Sequence, residues 1–382
     1  MKFNKIVEKL KESNILKFNQ EINQIPDIIK LTIGEPDFNT PDHIKKAAKQ
    51  AIDNNFTHYT VSNGILELRE ETANYYNEKF GFNYTKDQVI VTVGATEAMN
   101  ATFQAILNPE DVVIIPTPTF PLYMPEIMMS YGNFELIDTS KNGFIFTADM
   151  LEKIIKNNPH MKYKAVVLVY PNNPTGVTYT KEQLEDLAKV IKKYDIYVIC
   201  DEIYAELVYD KTHYSIANII PENTILITGL SKSHAMTGWR IGFVLSSNEI
   251  IQQISKTHQF NVTNATSISQ YAALAAMKYG KQDPELMKCE YKKRRDFLVE
   301  ELTKLDFEVA SPDGAFYIFA KIPQDRNQNS QEFASEIAYN AKVGTIPGSY
   351  FGPGGEGFLR ISYATSIENL KIAIENLRKY LK

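Results

Sequence analysis

Between Val89 and Leu245 the chain repeats one pattern: a short apolar run rich in β-branched residues, a polar break, then a stretch with helical spacing. The runs are Val89–Val93, Val112–Ile115, Ala165–Tyr170, Ile196–Cys200, Ile225–Thr228 and Ile241–Leu245. Most of them have no polar face. A strand apolar on both sides must be covered on both sides, as in a parallel sheet flanked by helices. Helical patterns lie between the runs, at Thr96–Leu107 and at Lys181–Lys193, where Leu184, Leu187, Ala188 and Ile191 recur at spacings of three and four. This alternation predicts an α/β domain with a mostly parallel sheet.

The last hundred residues follow another pattern. Tyr291–Leu305 reads as a charged helix, followed by the strand-like FEVA and GAFYIFA, a helix-like EFASEIAYN, the strand-like FLRISYA and a closing helix at Ile367–Leu381. Such a mixture predicts a smaller α+β domain. The polar KQDP at 281–284 marks the boundary, giving a large domain over 45–282 and a small domain over 283–382. Residues 1–44 are expected to form an N-terminal arm and part of that small domain. The opening MKFNKIVEKLKES reads as an amphipathic helix with charges throughout, unlike a signal peptide.

Composition narrows the function classes. The chain has 382 residues, and its net charge of −5 gives no reason to expect a nucleic-acid partner. No apolar run approaches the roughly 20 residues that span a bilayer. Two cysteines, Cys200 and Cys289, make no disulfide framework, so a reduced, cytoplasmic setting is expected. The six histidines show no metal-ligand spacing, and no metal is expected.

Four segments at predicted strand ends carry chemistry. Ser231-Lys232-Ser233-His234-Ala235-Met236-Thr237-Gly238-Trp239-Arg240 follows TILIT. An amine in a low-dielectric cleft has a depressed pKa and can attack a carbonyl to form a Schiff base. Tyr170-Pro171-Asn172-Asn173-Pro174-Thr175-Gly176 makes a turn at the carboxyl end of a strand, where α/β proteins bind ligands. Asp201, in DEIY, is either a helix cap or a counter-ion for a cationic ligand. Gly94-Ala95-Thr96-Glu97 would suit a phosphate at a helix N-terminus. Gly352-Pro353-Gly354-Gly355-Glu356-Gly357 matches a dinucleotide-binding fingerprint in letters only, because a strand-like segment follows it instead of a helix.

With SKxxxxxGWRxG and PNNPTG in this order, the chain resembles the class I aminotransferases, pyridoxal-phosphate enzymes of fold type I. The likeness runs from LTIGEPDF at Leu31–Phe38 to FLRISY at Phe358–Tyr363. It implies a seven-stranded sheet in the large domain, and roles position by position. Lys232 resembles the lysine that holds the cofactor aldehyde and shuttles a proton. Asp201 would pair with the protonated pyridine nitrogen and stay ionised. Asn173 and Tyr204 would hydrogen-bond the ring's 3-oxygen, and Phe120, in TPTFPLY, would stack on the ring. Gly94, Ala95, Thr96, Ser231 and Arg240 would hold the phosphate. Tyr59, in HYTVSNG, is similar to the tyrosine that reaches the partner's phosphate in a homodimer. Arg360 would grip the substrate α-carboxylate in a bidentate pair, with Gly34 and Asn173 alongside.

The implied activity is a ping-pong transfer of an amino group between an L-amino acid and a 2-oxo acid such as 2-oxoglutarate. Alternatives are a carbon–sulfur β-lyase built on the same residues and a non-catalytic ligand-binding module of the same fold. Leu16 stands where relatives often carry an arginine. Phe120, Tyr123, Phe316, Tyr317 and Tyr350 fall in segments resembling active-site loops. Without a second assigned arginine, an aromatic or N-acyl-diaminopimelate-like donor is favoured over aspartate, unless Lys17 or Arg294 reaches the pocket.

Overall fold

The computed structural model describes residues 2–310 and 312–382. The six apolar runs all become strands, and a seventh joins them: β1 Val89–Thr92, β2 Asp111–Thr117, β3 Asn133–Asp138, β4 Lys162–Val169, β5 Tyr197–Asp201, β6 Thr224–Gly229 and β7 Gly242–Leu245. Their spatial order is β1-β7-β6-β5-β4-β2-β3. Only β7 runs antiparallel to its neighbours, β1 and β6; the other pairings are parallel.

Burial on both faces follows from the alternation of side chains along a strand. Val166 and Leu168 of β4 and Val198 and Cys200 of β5 enter one apolar cluster, together with Leu184, Leu187, Ala188 and Ile191 of the helix Lys181–Tyr194. Ala165, Val167 and Val169 of β4 and Ile199 of β5 enter another, with Met99 and Phe103 of the helix Gly94–Ile106 and Ile250 and Ile254 of the helix Asn248–Val262. The sheet is therefore the middle of three layers.

Two local differences from the sequence reading have plain causes. Strand β3, NFELID, lies at the sheet edge with both ends exposed. Its Asn133, Glu135 and Asp138 break any apolar run, so periodicity does not single it out, whereas β1 at the other edge is mostly apolar and buried throughout. Residues 2–13 do not form the expected amphipathic helix. They hold a three-residue helical turn at Val7–Lys9. The helix begins at Asn14, capped by the Ser13 hydroxyl, which accepts from the Leu16 N–H. Phe3 and Val7 are exposed, and a short apolar stripe with nothing to pack against does not sustain a helix.

A third apolar cluster unites the chain's two ends. Phe18, Ile22, Ile25 and Leu31 share it with Leu298, Phe333, Ile337, Val343 and Leu377. Ile29–Lys30 pairs in parallel with Val343–Gly344. Beside it, Tyr317–Lys321 and Phe358–Ser362 pair antiparallel, with Phe319 opposite Arg360. Both cysteines are free. Among the described residues, no helix is long and apolar enough to cross a membrane.

Candidate active site

The carboxyl ends of the parallel strands bring their loops to one edge of the sheet, where open α/β sheets bind ligands. Strand β6 ends at Gly229 and leads straight into the helical turn Leu230–Ser233, which carries Ser231 and Lys232. Lys232 Nζ donates to the Gly34 carbonyl at 2.6 Å and stands 6.0 Å from the centre of the Phe316 ring. Burial brings its pKa down to about 8; the Glu35 carboxylate opposes the shift and the Arg240 guanidinium adds to it. A share of this amine is thus neutral, and nucleophilic, near physiological pH.

Asp201 is the last residue of β5. The Tyr123 hydroxyl donates to its Oδ2 at 2.7 Å, and the Ile203 N–H donates to Oδ1 at 3.2 Å. Burial raises the Asp201 pKa, while these two hydrogen bonds and the charge of Lys232 work the other way. The chain's own groups leave the Asp201 pKa above its ordinary value, and a cation beside the carboxylate would favour its ionised form.

The end of β1 forms an anion cup. Gly94 has φ +74° and opens the helix Gly94–Ile106. A Cβ there would lie 2.5 Å from Arg240 Nη2, so only glycine lets the guanidinium sit against the helix start. Arg240 Nη1 donates to the Thr237 carbonyl at 3.0 Å. The first N–H groups of a helix lack intrahelical partners, and with an arginine beside them they favour an anion. Glu97 steadies the turn: its Oε2 accepts from the Val93 N–H at 3.1 Å, and its Oε1 lies 3.0 Å from Nδ1 of the buried His258.

Arg360 closes the opposite side. It is buried, with Nη1 donating to Asn173 Oδ1 at 3.0 Å and Nη2 donating to the Thr32 carbonyl at 2.7 Å. Its charge lies 4.5 Å from the Tyr317 ring centre and 5.1 Å from that of Phe351. Its Nε has no hydrogen-bond partner among the described residues. The Tyr317 hydroxyl is 2.8 Å from that of Tyr204.

A cleft of about 470 Å³ collects these groups. Gly34, Ala95, Thr96, Phe120, Asn173, Asp201, Tyr204, Ser231, Lys232, Arg240 and Arg360 all line it. Gly94 lies buried beneath Arg240. Tyr59 is not brought to the cleft in this single chain; its side chain is 87% exposed. Tyr123 and Tyr317, which the sequence reading left without roles, hold Asp201 and Tyr204. Tyr123 is 78 positions from Asp201, and no local pattern signals that contact. Lys17 and Arg294 do not line the cleft. Lys17 pairs with Glu12 at 3.0 Å, and Arg294 donates to both oxygens of Asp37 at 2.9 Å. Lys30 does line it, and the sequence gave no reason to select it.

Comparison with known proteins agrees with this geometry. The family model "Aminotransferase class I and II" matches residues 26–377. The chain belongs to the class I and II aminotransferases. It is 44% identical over 370 residues to a probable N-acetyl-LL-diaminopimelate aminotransferase of Bacillus subtilis, covering 97% of this chain and 93% of the relative. It is 39% identical over 379 residues to an aspartate aminotransferase of Pyrococcus horikoshii, covering 98% and 95%. The solved structure of a Thermus thermophilus aspartate aminotransferase with maleate superposes with a TM-score of 0.93 at 34% identity, covering 99% of each chain. The α/β architecture and the aminotransferase assignment of the sequence reading both hold.

Proposed function

We propose that this aminotransferase uses pyridoxal phosphate to move an amino group between an L-amino acid and a 2-oxo acid such as 2-oxoglutarate, in two half-reactions. The observation that carries the reading is a pair of anion sites sharing one cleft with an activated lysine. The Gly94–Arg240 cup and Arg360, whose Nε has no partner among the described residues, line the same cleft as Lys232, and both guanidiniums help lower its pKa. The residues present fit the cofactor. The cup, with Ala95, Thr96 and Ser231, suits a phosphate, and Arg240 supplies the charge. Asp201 suits a protonated pyridine nitrogen, which would hold the carboxylate ionised against the burial that raises its pKa. Tyr204 and Asn173 suit the 3-oxygen, and half-buried Phe120 offers a ring to stack.

Bound pyridoxal phosphate supplies an aldehyde that carries the amino group and a ring that withdraws electrons from the substrate Cα. The chain's own groups do the rest. Arg360 holds the α-carboxylate and so fixes the direction of the Cα–H bond. Lys232 Nζ, once free, takes the Cα proton and returns it one atom away, and its pKa of about 8 suits both directions of transfer. The Gly34 carbonyl keeps Nζ aimed into the cleft. Tyr123 positions Asp201, and Tyr317 positions Tyr204.

With Lys17 and Arg294 engaged elsewhere, the short side-chain carboxylate of aspartate gains no partner from them, and an aromatic or extended N-acyl-diaminopimelate-like donor, whose second carboxylate lies farther out, is favoured. The largely exposed Tyr59 suits a homodimer in which each chain lends it to the other's cup. The division into 1–44, 45–282 and 283–382 and a cytoplasmic location belong to the same reading. The purified protein should be yellow, and borohydride should fix the cofactor to Lys232. Each of a panel of amino donors is then assayed with 2-oxoglutarate. Fixation to another lysine, or release of ammonia and sulfide from cysteine-type donors in place of transamination, defeats the reading. A kcat/KM for aspartate tenfold above those for phenylalanine and N-acetyl-diaminopimelate overturns the donor preference, a difference of about 1.4 kcal/mol.

A further inference from the structure

The side chains lining the cleft include four cations, Lys30, Lys232, Arg240 and Arg360, against one carboxylate, Asp201. Three of the cations have work in the proposed reaction. Lys30 has none. Its amine donates to Asn23 Oδ1 at 3.1 Å, and among the described residues it pairs with no carboxylate. It stands exposed at the outer end of the cleft, with Asn19 and Asn23 as polar neighbours.

Lys30 is tied to the α-carboxylate site through the backbone. The strand Ile29–Lys30 leads into Leu31, whose N–H donates to the Gly344 carbonyl at 2.8 Å and whose carbonyl accepts from the Ser362 N–H at 2.8 Å. Leu31 enters the core. The Thr32 carbonyl is the group that accepts from Arg360. Lys30 and Arg360 line one cleft, together with the apolar Ile15, Leu16 and Ile33. An anion pairs with a lone exposed ammonium at less desolvation cost than with a buried one.

We propose that Lys30, steered by Asn23, binds the far carboxylate of a long-chain amino dicarboxylate whose α-carboxylate is held by Arg360. This rests on the aminotransferase reading and narrows it: the favoured donor has an extended apolar spacer ending in an anion. Phenylalanine has no anionic group for Lys30.

The test uses a matched pair, 2-aminopimelate and 2-aminoheptanoate, which differ in the terminal carboxylate. With the cofactor-loaded enzyme and 2-oxoglutarate, the dicarboxylate should lead in kcat/KM by roughly 2- to 5-fold, mainly through KM. Lys30→Met should bring the ratio near one, and Lys30→Arg should keep most of it. No preference in the native enzyme, or an unchanged ratio in Lys30→Met, overturns the proposal. Calorimetric binding of pimelate and heptanoate to the same holoenzymes separates this from failure of the reaction itself. If neither amino acid is transaminated but pimelate binds tighter than heptanoate only when Lys30 is present, the Lys30 site stands and the transamination reading falls. Equal binding of the two with and without Lys30 removes the site.

Discussion

Lys232, Asp201 and the Gly94 turn stand at the ends of strands buried almost throughout, whereas Ile15, Leu16 and Asn19 face the same cleft from a nine-residue helix with only Phe18 and Ile22 buried. At the inner end, β5 and β6 are clamped between neighbouring strands, β1 is held by β7, and all three enter apolar clusters on both faces. Groups mounted there hold their geometry, as proton transfer and charge stabilisation require. At the outer end the side chains rest on a short element with few anchors. Changes there alter how well a substrate is held and leave the chemistry in place. On the proposed function, strand ends fix the reaction and the N-terminal segment tunes the substrate.

Four substitutions probe that division, from the largest effect to the smallest. Lys232→Ala should reduce transamination by about 10⁴-fold or more, because it removes the nucleophile and the proton carrier together. Its side chain faces the cleft, so the thermal transition should stay close to native. Single-turnover measurements showing native-like rates would remove Lys232 from the mechanism. Asp201→Ala should lower kcat by about 10²- to 10³-fold, the scale of losing a buried charge aimed at the reacting system. A loss confined to KM would mean that Asp201 serves binding alone.

Tyr123→Phe tests whether the inner end needs its supports. It removes a donor to Asp201 and costs about tenfold in kcat. It also has a signed pH effect. The Tyr123 hydrogen bond lowers an Asp201 pKa that burial raises. Without it the pKa rises further, so the ionised carboxylate is lost sooner as pH falls. The acidic limb of the kcat profile should therefore move to higher pH. A limb that stays still, or moves lower, breaks the link between the two residues.

Leu16→Ala belongs to the outer end and should change KM by no more than about fivefold, with kcat within twofold, since Leu16 is already 64% exposed. A fall in kcat comparable to that of Tyr123→Phe would erase the distinction between the two ends.

The inner end was largely legible in the sequence because its determinants are local. A strand buried on both faces needs an uninterrupted apolar run, and the residue after it must begin a loop at the sheet edge. Lys232, Asp201, Asn173 and Gly94 were found at or just beyond such runs. Strand β3 escaped because it is only partly covered and carries Asn133, Glu135 and Asp138. The helix at Asn14–Ile22 was misplaced because the apolar residues ahead of it recur with helical spacing but meet no core. Tyr123 and Tyr317 were seen only as aromatics, since their partners are 78 and 113 positions away.

Sequence alone determined the layered α/β architecture, the strand ends that carry chemistry, and the family. Periodic burial and turn residues act over a few positions, so they can be read from the chain directly. Tertiary structure alone decided which cations face the cleft. It bound Arg294 to Asp37, left Arg360 with a free Nε, and set Lys30 on the strand segment that holds Arg360 through Thr32. Charge pairing depends on distance in space, and Arg360 meets Asn173 and Thr32 across 187 and 328 positions, separations that no local pattern encodes.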